Sequence, residues 1–540
     1  MINKVALAVI TEKNNQEELG ICYIGALLQK HNYLVTLFSN NNVTIIKERL
    51  EKYQPDFVGF CVYDKTYIQT INLCKEMKKK FPKLVIVLGG RKASDSSEEI
   101  LKECDVVDYV ITGEGEYAML NLINNLNSKT PINDLPNLTY RSNGAVIRNK
   151  NARTIENLDT LPHPMRTILA EEKLNTANIL SSRGCTQNCS FCSSPVFWES
   201  GNCSKRWRGR DTMDVLNEIR EIYEKYNIRY YKFLDCSFED PDYKLERSMK
   251  MAKLLLDSGM DISYMVQFRP DIYKKALLKE GYMQTLVESG LAAVFIGIEA
   301  GNDDDLALYN KGVTVNENYA CLDYFSKYDI LVKFGFISIN PFSTVKRLRE
   351  NVDFLYKTRM ASRFYMIRNY QVIEKSSLFK KLKDDGLYYY NENKKIHDYV
   401  CKDKTIDKMS KFAIKYFNQY NGEKLYVLKY FIEIFDEKIA FIKSYYKRRN
   451  PSVYDMVESY NRMYLKVMND LNEKSRDWFV QLLDLAETGW DEKLVERVVQ
   501  KVFPYSYLDE IYTKMLIIHK ELYKYLLDIN VKDANYLLYV

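Results

Sequence analysis

Two series of short apolar runs, each run alternating with an amphipathic stretch, occupy the chain from its start to about residue 376. The first series comprises Val5 to Ile10, the helix-like Leu19 to His31, Leu34 to Phe38, Val43 to Tyr53, Phe57 to Val62, Tyr67 to Phe81, Leu84 to Leu88 and Val107 to Ile111. Strand-length apolar runs separated by helices specify a parallel, doubly wound sheet, because parallel strands need a crossover helix to return the chain. Ligands of such sheets bind at the carboxyl ends of the strands. Two glycine-bearing turns fall there, Leu88-Gly89-Gly90-Arg91 and Thr112-Gly113-Glu114-Gly115-Glu116, and Gly59 sits inside the third strand. A tight turn accounts for any one of these glycines; three at one edge favour a binding site.

Between Asn127 and Leu174 the alternation weakens and prolines cluster at 131, 136, 162 and 164. This reads as a linker containing a small hairpin, Leu138 to Arg148, turned at Asn143-Gly144. The second series then runs through strands Ala177 to Ser181, Tyr230 to Leu234, Ser263 to Phe268, Ala293 to Ile298, Leu331 to Ile339 and Phe364 to Val372. Helices Thr212 to Tyr226, Leu245 to Ser258, Tyr273 to Ser289, Asn316 to Tyr328 and Val345 to Lys357 separate them. Six strands with such helices predict a partial (β/α)6 barrel, whose chemistry sits at the strands' carboxyl ends. After about Ser377 the strands give way to long Lys- and Tyr-rich amphipathic stretches: Lys404 to Tyr420, Lys424 to Lys447, Val453 to Leu471 and Tyr505 to Ile529. Their aromatic faces read as core rather than as binding surface. The expected fold class is α/β, with divisions at 1–128, 129–174 (linker), 175–376 and an all-helical 377–540, and a chain of 540 residues is too long for one core.

Directly after the first barrel strand stands Arg183-Gly-Cys185-Thr-Gln-Asn-Cys189-Ser-Phe191-Cys192. Thiolates spaced C-x3-C-x2-C can hold three irons of a four-iron cluster and, with no fourth cysteine close by, leave one iron open to another ligand. The competing reading is a structural zinc loop or buried thiols. Zinc sites, however, close with four ligands, usually from paired C-x2-C units, and here the next cysteine is Cys203 and no histidine lies nearer than His163. The net charge of +6, from 78 basic and 72 acidic residues, argues against a dedicated nucleic-acid binder. No apolar run approaches the ~18 residues of a membrane span. Val5 to Ile10 is too short for a signal peptide, so a cytoplasmic protein is expected, where eleven cysteines read as metal ligands and buried thiols.

This arrangement resembles the radical S-adenosylmethionine (SAM) superfamily, specifically its members with an N-terminal cobalamin-binding domain. The resemblance covers residues 1 to about 375 and is carried by the C-x3-C-x2-C loop with Phe191 before its last cysteine. It implies a [4Fe-4S] cluster on Cys185, Cys189 and Cys192, whose open iron chelates SAM, and reduction that yields a 5′-deoxyadenosyl radical. Phe233-Leu-Asp235, Gln267-Phe-Arg269 and Gly297-Ile-Glu299-Ala-Gly301 each place a charged residue at a strand's carboxyl end, and Lys311-Gly312 fits the same pattern. By resemblance, Glu299 and Arg269 bind polar groups of SAM, and Asp235 contacts cofactor or substrate. Each is equally readable as a salt-bridged residue of the barrel rim.

In the N-terminal half the resemblance rests on Gly25, Pro55 to Gly59, Gly89-Gly90 and Asp108 to Glu116, and implies cobalamin held by Gly59, Gly89, Gly90, Gly113, Glu114, Gly115 and Glu116. The D-x-H-x-x-G signature is missing, since His31 lacks those flanks, so no protein histidine would bind cobalt. Arg91 departs from the small or proline residue common in relatives. Ser338, Asn340 and Phe342 stand where relatives have a glycine-rich turn. The implied activity is methyl transfer to an unactivated carbon of a natural-product or peptide precursor. Cyclisation, rearrangement and an iron–sulfur electron-transfer module are the alternatives. An external electron donor, such as flavodoxin or ferredoxin, is implied as a partner.

Overall fold

The computed structural model describes residues 1–12, 17–200, 205–239, 241–415 and 422–529. The chain divides into two compact units. One comprises Met1–Thr186, Ser193–Asp235 and Tyr390–His397; the other comprises Gln187–Cys192, Cys236–Tyr389 and the chain from Asp398 onward.

The first unit is built on a seven-stranded sheet of β1 (Lys4–Ile10), β2 (Leu34–Asn40), β3 (Phe57–Cys61), β4 (Val85–Gly89), β5 (Tyr109–Ile111), β6 (Leu138–Ser142) and β7 (Ala145–Arg148). Their spatial order is β2-β1-β3-β4-β5-β6-β7, with β1 to β5 parallel. This is the doubly wound topology expected from the alternation, and its strand order reverses beside β1 and β3. Residues Val5 to Ile10 of β1 are at most 1% exposed. A strand covered on both faces carries no polar alternation, which is why this one reads as a continuous apolar run. Each large apolar side chain buried in it stabilises the fold by about 1.5–3 kcal/mol.

The hairpin expected within the linker instead extends this sheet to Arg148. Tyr109, Val110 and Ile111 pair antiparallel with Tyr140, Thr139 and Leu138. Asn143 (φ 49°) and Gly144 (φ 79°) make the turn, two positive φ values whose twist matches that of the strands. Buried Leu138 and Tyr140 give the hairpin its reason to dock. The same unit contains β8 (Thr176–Ile179), β9 (Ser182–Gly184), β10 (Trp207–Gly209) and β11 (Tyr230–Phe233). β8 pairs in parallel with β11, and β9 pairs antiparallel with β10.

In the second unit β12 (Ser263–Phe268), β13 (Leu291–Glu299) and β14 (Leu331–Phe336) are parallel neighbours in that order. Three details differ from expectation. The helix read over Tyr273 to Ser289 is two helices, Ile272–Leu277 and Tyr282–Glu288, broken where Gly281 takes φ 69°. The strand read over Phe364 to Val372 is two short 3-10 turns, Ala361–Arg363 and Tyr365–Ile367, with only the bridge Ile339↔Asn369. Phe364 lies between them at φ 56°, a left-handed conformation no strand accommodates. Finally, the stretch read as wholly helical after Ser377 includes β15 (Tyr388–Asn391) and β16 (Ile396–Tyr399). The helices beyond them are Lys404–Lys415, Gly422–Lys447, Pro451–Thr488, Glu492–Val502 and Tyr505–Asp528; the end of the first, read as far as Tyr420, lies outside the described residues. Pro451 opens the longest at a position where its missing N–H costs nothing, behind an Asn450 side chain that accepts from Val453 N–H. Its Tyr464 and Trp478 are fully buried, as the core reading of the aromatic faces requires.

Candidate functional site

The carboxyl ends of β1, β3, β4 and β5 surround a cavity of about 230 Å³. Gly59, Gly89, Gly90, Gly113, Glu114, Gly115 and Glu116, all singled out from the sequence, line it together with Tyr23 and Arg183. These glycines have different tasks. A Cβ on Gly90, at φ 88°, would lie 2.9 Å from both Cys61 Sγ and Val62 N, so that position is fixed by packing. A Cβ on Gly59 would press on Leu7 and Met119 at 2.9 and 3.0 Å. On Gly89 or Gly113, by contrast, it would meet nothing nearer than 3.9 Å. Gly113, at φ 75°, is also called for by its backbone, whereas Gly89 leaves room that any side chain would occupy, as expected where a ligand is laid against backbone. The strand ends are thus a candidate cofactor surface. Arg91 opens the short helix Arg91–Asp95, its Nε 4.0 Å from Asp95, and is not among the residues lining the cavity. A larger hollow of about 490 Å³, lined in part by His163, Lys30 and Lys225, contains no residue predicted for the site.

Glu114 and Glu116 do more than line the cavity. Arg183 donates through Nη1 to Glu114 at 3.0 Å and through Nη2 to Glu116 at 2.6 Å. Arg208 reaches both Glu114 oxygens, at 2.9 and 3.0 Å, and Ile155 N–H donates to the same carboxylate at 2.7 Å. Burial alone raises the Glu114 carboxyl, but Arg208 and Arg183 outweigh it and hold it below its ordinary value. Arg183 and Arg208 face each other across the β9–β10 pair, where two like charges repel unless a carboxylate stands between them. The guanidinium of Arg183 also lies over the Tyr23 ring, 5.1 Å from its centroid. Next in the chain, Gly184 takes φ 96°, and a Cβ there would lie 1.9 Å from the Arg206 carbonyl oxygen. Sequence reasoning missed Arg183, Gly184 and Arg208. The signal available was the alternation of arginines in Arg206-Trp-Arg208-Gly-Arg210, charges on a strand that must find partners.

Cys185 belongs to the first unit, whereas Cys189 and Cys192 belong to the second. In the second unit the segment Gln187–Cys192 is fastened to the chain that follows helix Asp303–Leu308. Ser190 N–H donates to the Tyr309 carbonyl at 2.9 Å and its hydroxyl to Leu308 at 2.7 Å, while the Asn310 amide donates to the Asn188 carbonyl at 2.8 Å. Phe191 meets the Tyr309 ring edge-on at 5.4 Å. Arg269 Nη1 stands 3.9 Å from Cys189 Sγ, Nη2 donates to the Lys311 carbonyl at 2.9 Å, and Nε donates to Asp271 at 3.2 Å.

Lys311 Nζ in turn lies 3.3 Å from Glu299. Glu299 occupies φ 69°, at an irregularity in the β13–β14 pairing, a conformation uncommon for a side-chain-bearing residue and typical of functional sites. A Cβ on Gly297 or Gly335 would fall within 3.0 Å of its carboxylate, so both glycines make room for it. Phe191, Cys189, Arg269 and Glu299 are thus drawn together through Tyr309 and Lys311. Asp235 lies in the first unit, fully buried, its carboxylate accepting from the hydroxyls of Ser181 and Ser182.

The donor set of three soft thiols, all part-exposed and none in a disulfide, fits an iron–sulfur cluster that must face a ligand. Cys22, Cys74, Cys104, Cys321 and Cys401 are buried thiols, and burial pushes Cys401 up to about 12. Among the described residues, no three Cys, His, Asp or Glu side chains are gathered tightly enough for a single metal ion.

The B12 binding domain family matches residues 5–123, and the Radical SAM superfamily matches residues 179–355. The chain belongs to the cobalamin-binding radical SAM enzymes. An uncharacterized methyltransferase of Pyrococcus horikoshii is 25% identical over 347 residues, 63% of this chain and 73% of that protein. The anaerobic magnesium-protoporphyrin IX monomethyl ester cyclase of Rubrivivax gelatinosus is 24% identical over 61% of this chain and 60% of its own. In fold, this radical SAM enzyme is similar to the cobalamin-dependent S-adenosylmethionine radical enzyme OxsB, solved with aqua-cobalamin and SAM bound. The TM-score is 0.72 at 18% identity, covering 100% of this chain and 82% of that one. The B12 binding and radical SAM domains make a [4Fe-4S] cluster, SAM and cobalamin its cofactors. Among the described residues no helix is long and apolar enough to cross a membrane.

Proposed function

We propose that this enzyme transfers a methyl group to an unactivated carbon of a small-molecule or peptide precursor. The observation that carries the reading is one unit in which a glycine-lined cavity at strand ends stands on the same ion-pair cluster as the strand leading to Cys185. When bound, the cluster and SAM supply a carbon-centred radical that abstracts hydrogen, and cobalamin supplies the methyl group. The chain's own residues have the tasks of binding and positioning. Cys185, Cys189 and Cys192 ligate the cluster. Phe191 and Ser190 pin the loop to Tyr309. Glu299, held in its strained conformation with Lys311 as counter-ion, offers a carboxylate to the amino group of SAM. Asp235 fixes the end of the strand that leads into the cysteines by binding Ser181 and Ser182. An external one-electron donor of the flavodoxin or ferredoxin class completes the cycle.

The test is anaerobic reconstitution with iron, sulfide and cobalamin, followed by incubation with reductant, methyl-deuterated SAM and small-molecule extract from the producing cells. The expected result is 5′-deoxyadenosine together with a product carrying the deuterated methyl. Release of 5′-deoxyadenosine with an unlabelled, ring-closed product would replace methyl transfer by the cyclase chemistry named for the Rubrivivax relative. Absence of 5′-deoxyadenosine would remove the radical reading altogether.

A further inference from the structure

We infer that Arg183 is a positioning residue that couples occupancy of the cobalamin cavity to ligation of the cluster by Cys185. The inference rests on the proposed cofactor set but not on methyl transfer.

Arg183 is two residues before Cys185 and is itself part of the cavity wall. Its guanidinium pairs with Glu114 and Glu116, both carried by the turn Gly113–Glu116 that forms another part of the wall. All three side chains are nearly closed to solvent, at 13%, 7% and 5% exposure. Buried, charge-assisted pairs of this kind are stiff: breaking one leaves an uncompensated charge in a poorly solvated place. Gly184 removes the remaining freedom, because its positive φ and its packing on the Arg206 carbonyl fix the direction in which the chain leaves β9 for Cys185. Arg208, opposite Arg183, is held by the same Glu114.

A ligand seated on Gly89 and Gly113 restrains the Gly113–Glu116 turn. That restraint passes through two ion pairs to Arg183 and through Gly184 to the first cluster ligand. Linkage is reciprocal, so a cluster that fixes Cys185 must tighten cobalamin by the same factor by which cobalamin protects the cluster. Couplings of this sort typically amount to about 5- to 150-fold in affinity.

The experiment measures cobalamin affinity of the full-length protein by anaerobic absorption titration, with and without the reconstituted cluster. The wild-type ratio is expected to be at least about 5-fold. In Glu116→Gln and Arg183→Lys it should fall towards 1, because lysine lacks the rigid guanidinium fork whose two nitrogens reach Glu114 and Glu116 separately, and a neutral amide forms no ion pair with the guanidinium. A residue that merely supports the fold would weaken cobalamin equally in both states and leave the ratio untouched. The independent readout is the rate at which a chelator strips iron: cobalamin should slow it in the wild type and not in the variants. A wild-type ratio of 1, or a ratio preserved in a folded variant, overturns the coupling while leaving the enzyme reading intact. Should one variant not fold, the wild-type ratio and the other variant still decide. No cobalamin binding in either state would instead overturn the cofactor assignment itself.

Discussion

Gly89 offers a way to separate the fold from the ligand. It ends β4 on the cavity wall, its φ lies outside the left-handed region, and a Cβ there meets only the Ile111 carbonyl oxygen, at 3.9 Å. Gly89→Ala should therefore stabilise the ligand-free protein by about 0.4–1 kcal/mol, by reducing the freedom of the unfolded chain. Gly89→Leu adds a branched side chain at the wall of the 230 Å³ cavity. Forcing a ligand against such excess volume costs about 1–3 kcal/mol, the usual penalty of overpacking. At 1.4 kcal/mol per tenfold, that is about a 5- to 150-fold loss of cobalamin affinity. Denaturant unfolding of the ligand-free protein and an absorption titration with hydroxocobalamin measure the two quantities on the same sample. An unchanged affinity in Gly89→Leu would refute the placement of cobalamin at these strand ends. A collapse of stability in Gly89→Ala would refute the claim that this glycine serves the ligand rather than the packing.

Gly184→Ala should lower the iron content after reconstitution, since a left-handed alanine costs roughly 1–2 kcal/mol before the overlap with the Arg206 carbonyl is counted; full iron occupancy would show that the approach to Cys185 is not set there. Arg269→Met removes a donor 3.9 Å from Cys189 Sγ, so a redox titration followed by electron paramagnetic resonance should find a more negative cluster potential. The shift should be about 59 mV for each tenfold loss of preference for the reduced cluster, and an unshifted potential would return Arg269 to the role of SAM contact alone. For His163, burial lowers the imidazole, but Glu221, Glu218 and Asp214 outweigh it and raise its pKa above the ordinary 6.5. Its stabilising contribution is thus fully present below about 6.5 and is lost as pH rises through the raised value. Thermal midpoints recorded across that window should decline in the wild type and stay flat in His163→Gln; parallel curves would exclude the Asp214–His163–Glu221 contacts as the cause.

The doubly wound sheet was legible because β1 to β5 need no partner choice beyond their own crossovers: a buried parallel strand must be apolar throughout, and Val5 to Ile10 is. What escaped reading was conformation set at a distance. Phe364 is a good strand residue, yet its left-handed backbone prevents a strand over Phe364 to Val372 and leaves only the bridge Ile339↔Asn369 there. Leu138 to Arg148 announced a hairpin but not its dock, because Tyr140 becomes buried only once β5 lies beside it.

The site divides in the same way. Three thiols in eight residues, and glycines at strand ends, carry their chemistry in their spacing. The two glutamates of Thr112-Gly-Glu-Gly-Glu116 do not, since a carboxylate at a strand end is readable equally as a ligand contact or as half of an ion pair. Arg183 and Arg208, 67 to 94 residues away in sequence, engage both carboxylates. A carboxylate held below its ordinary pKa by two guanidiniums is a poor acceptor for anything further and a strong anchor for what already binds it. Under the proposed coupling, the glutamates lining this cavity act on the ligand through the arginine that leads to the first cysteine, and the ligand itself is expected against Gly89 and Gly113.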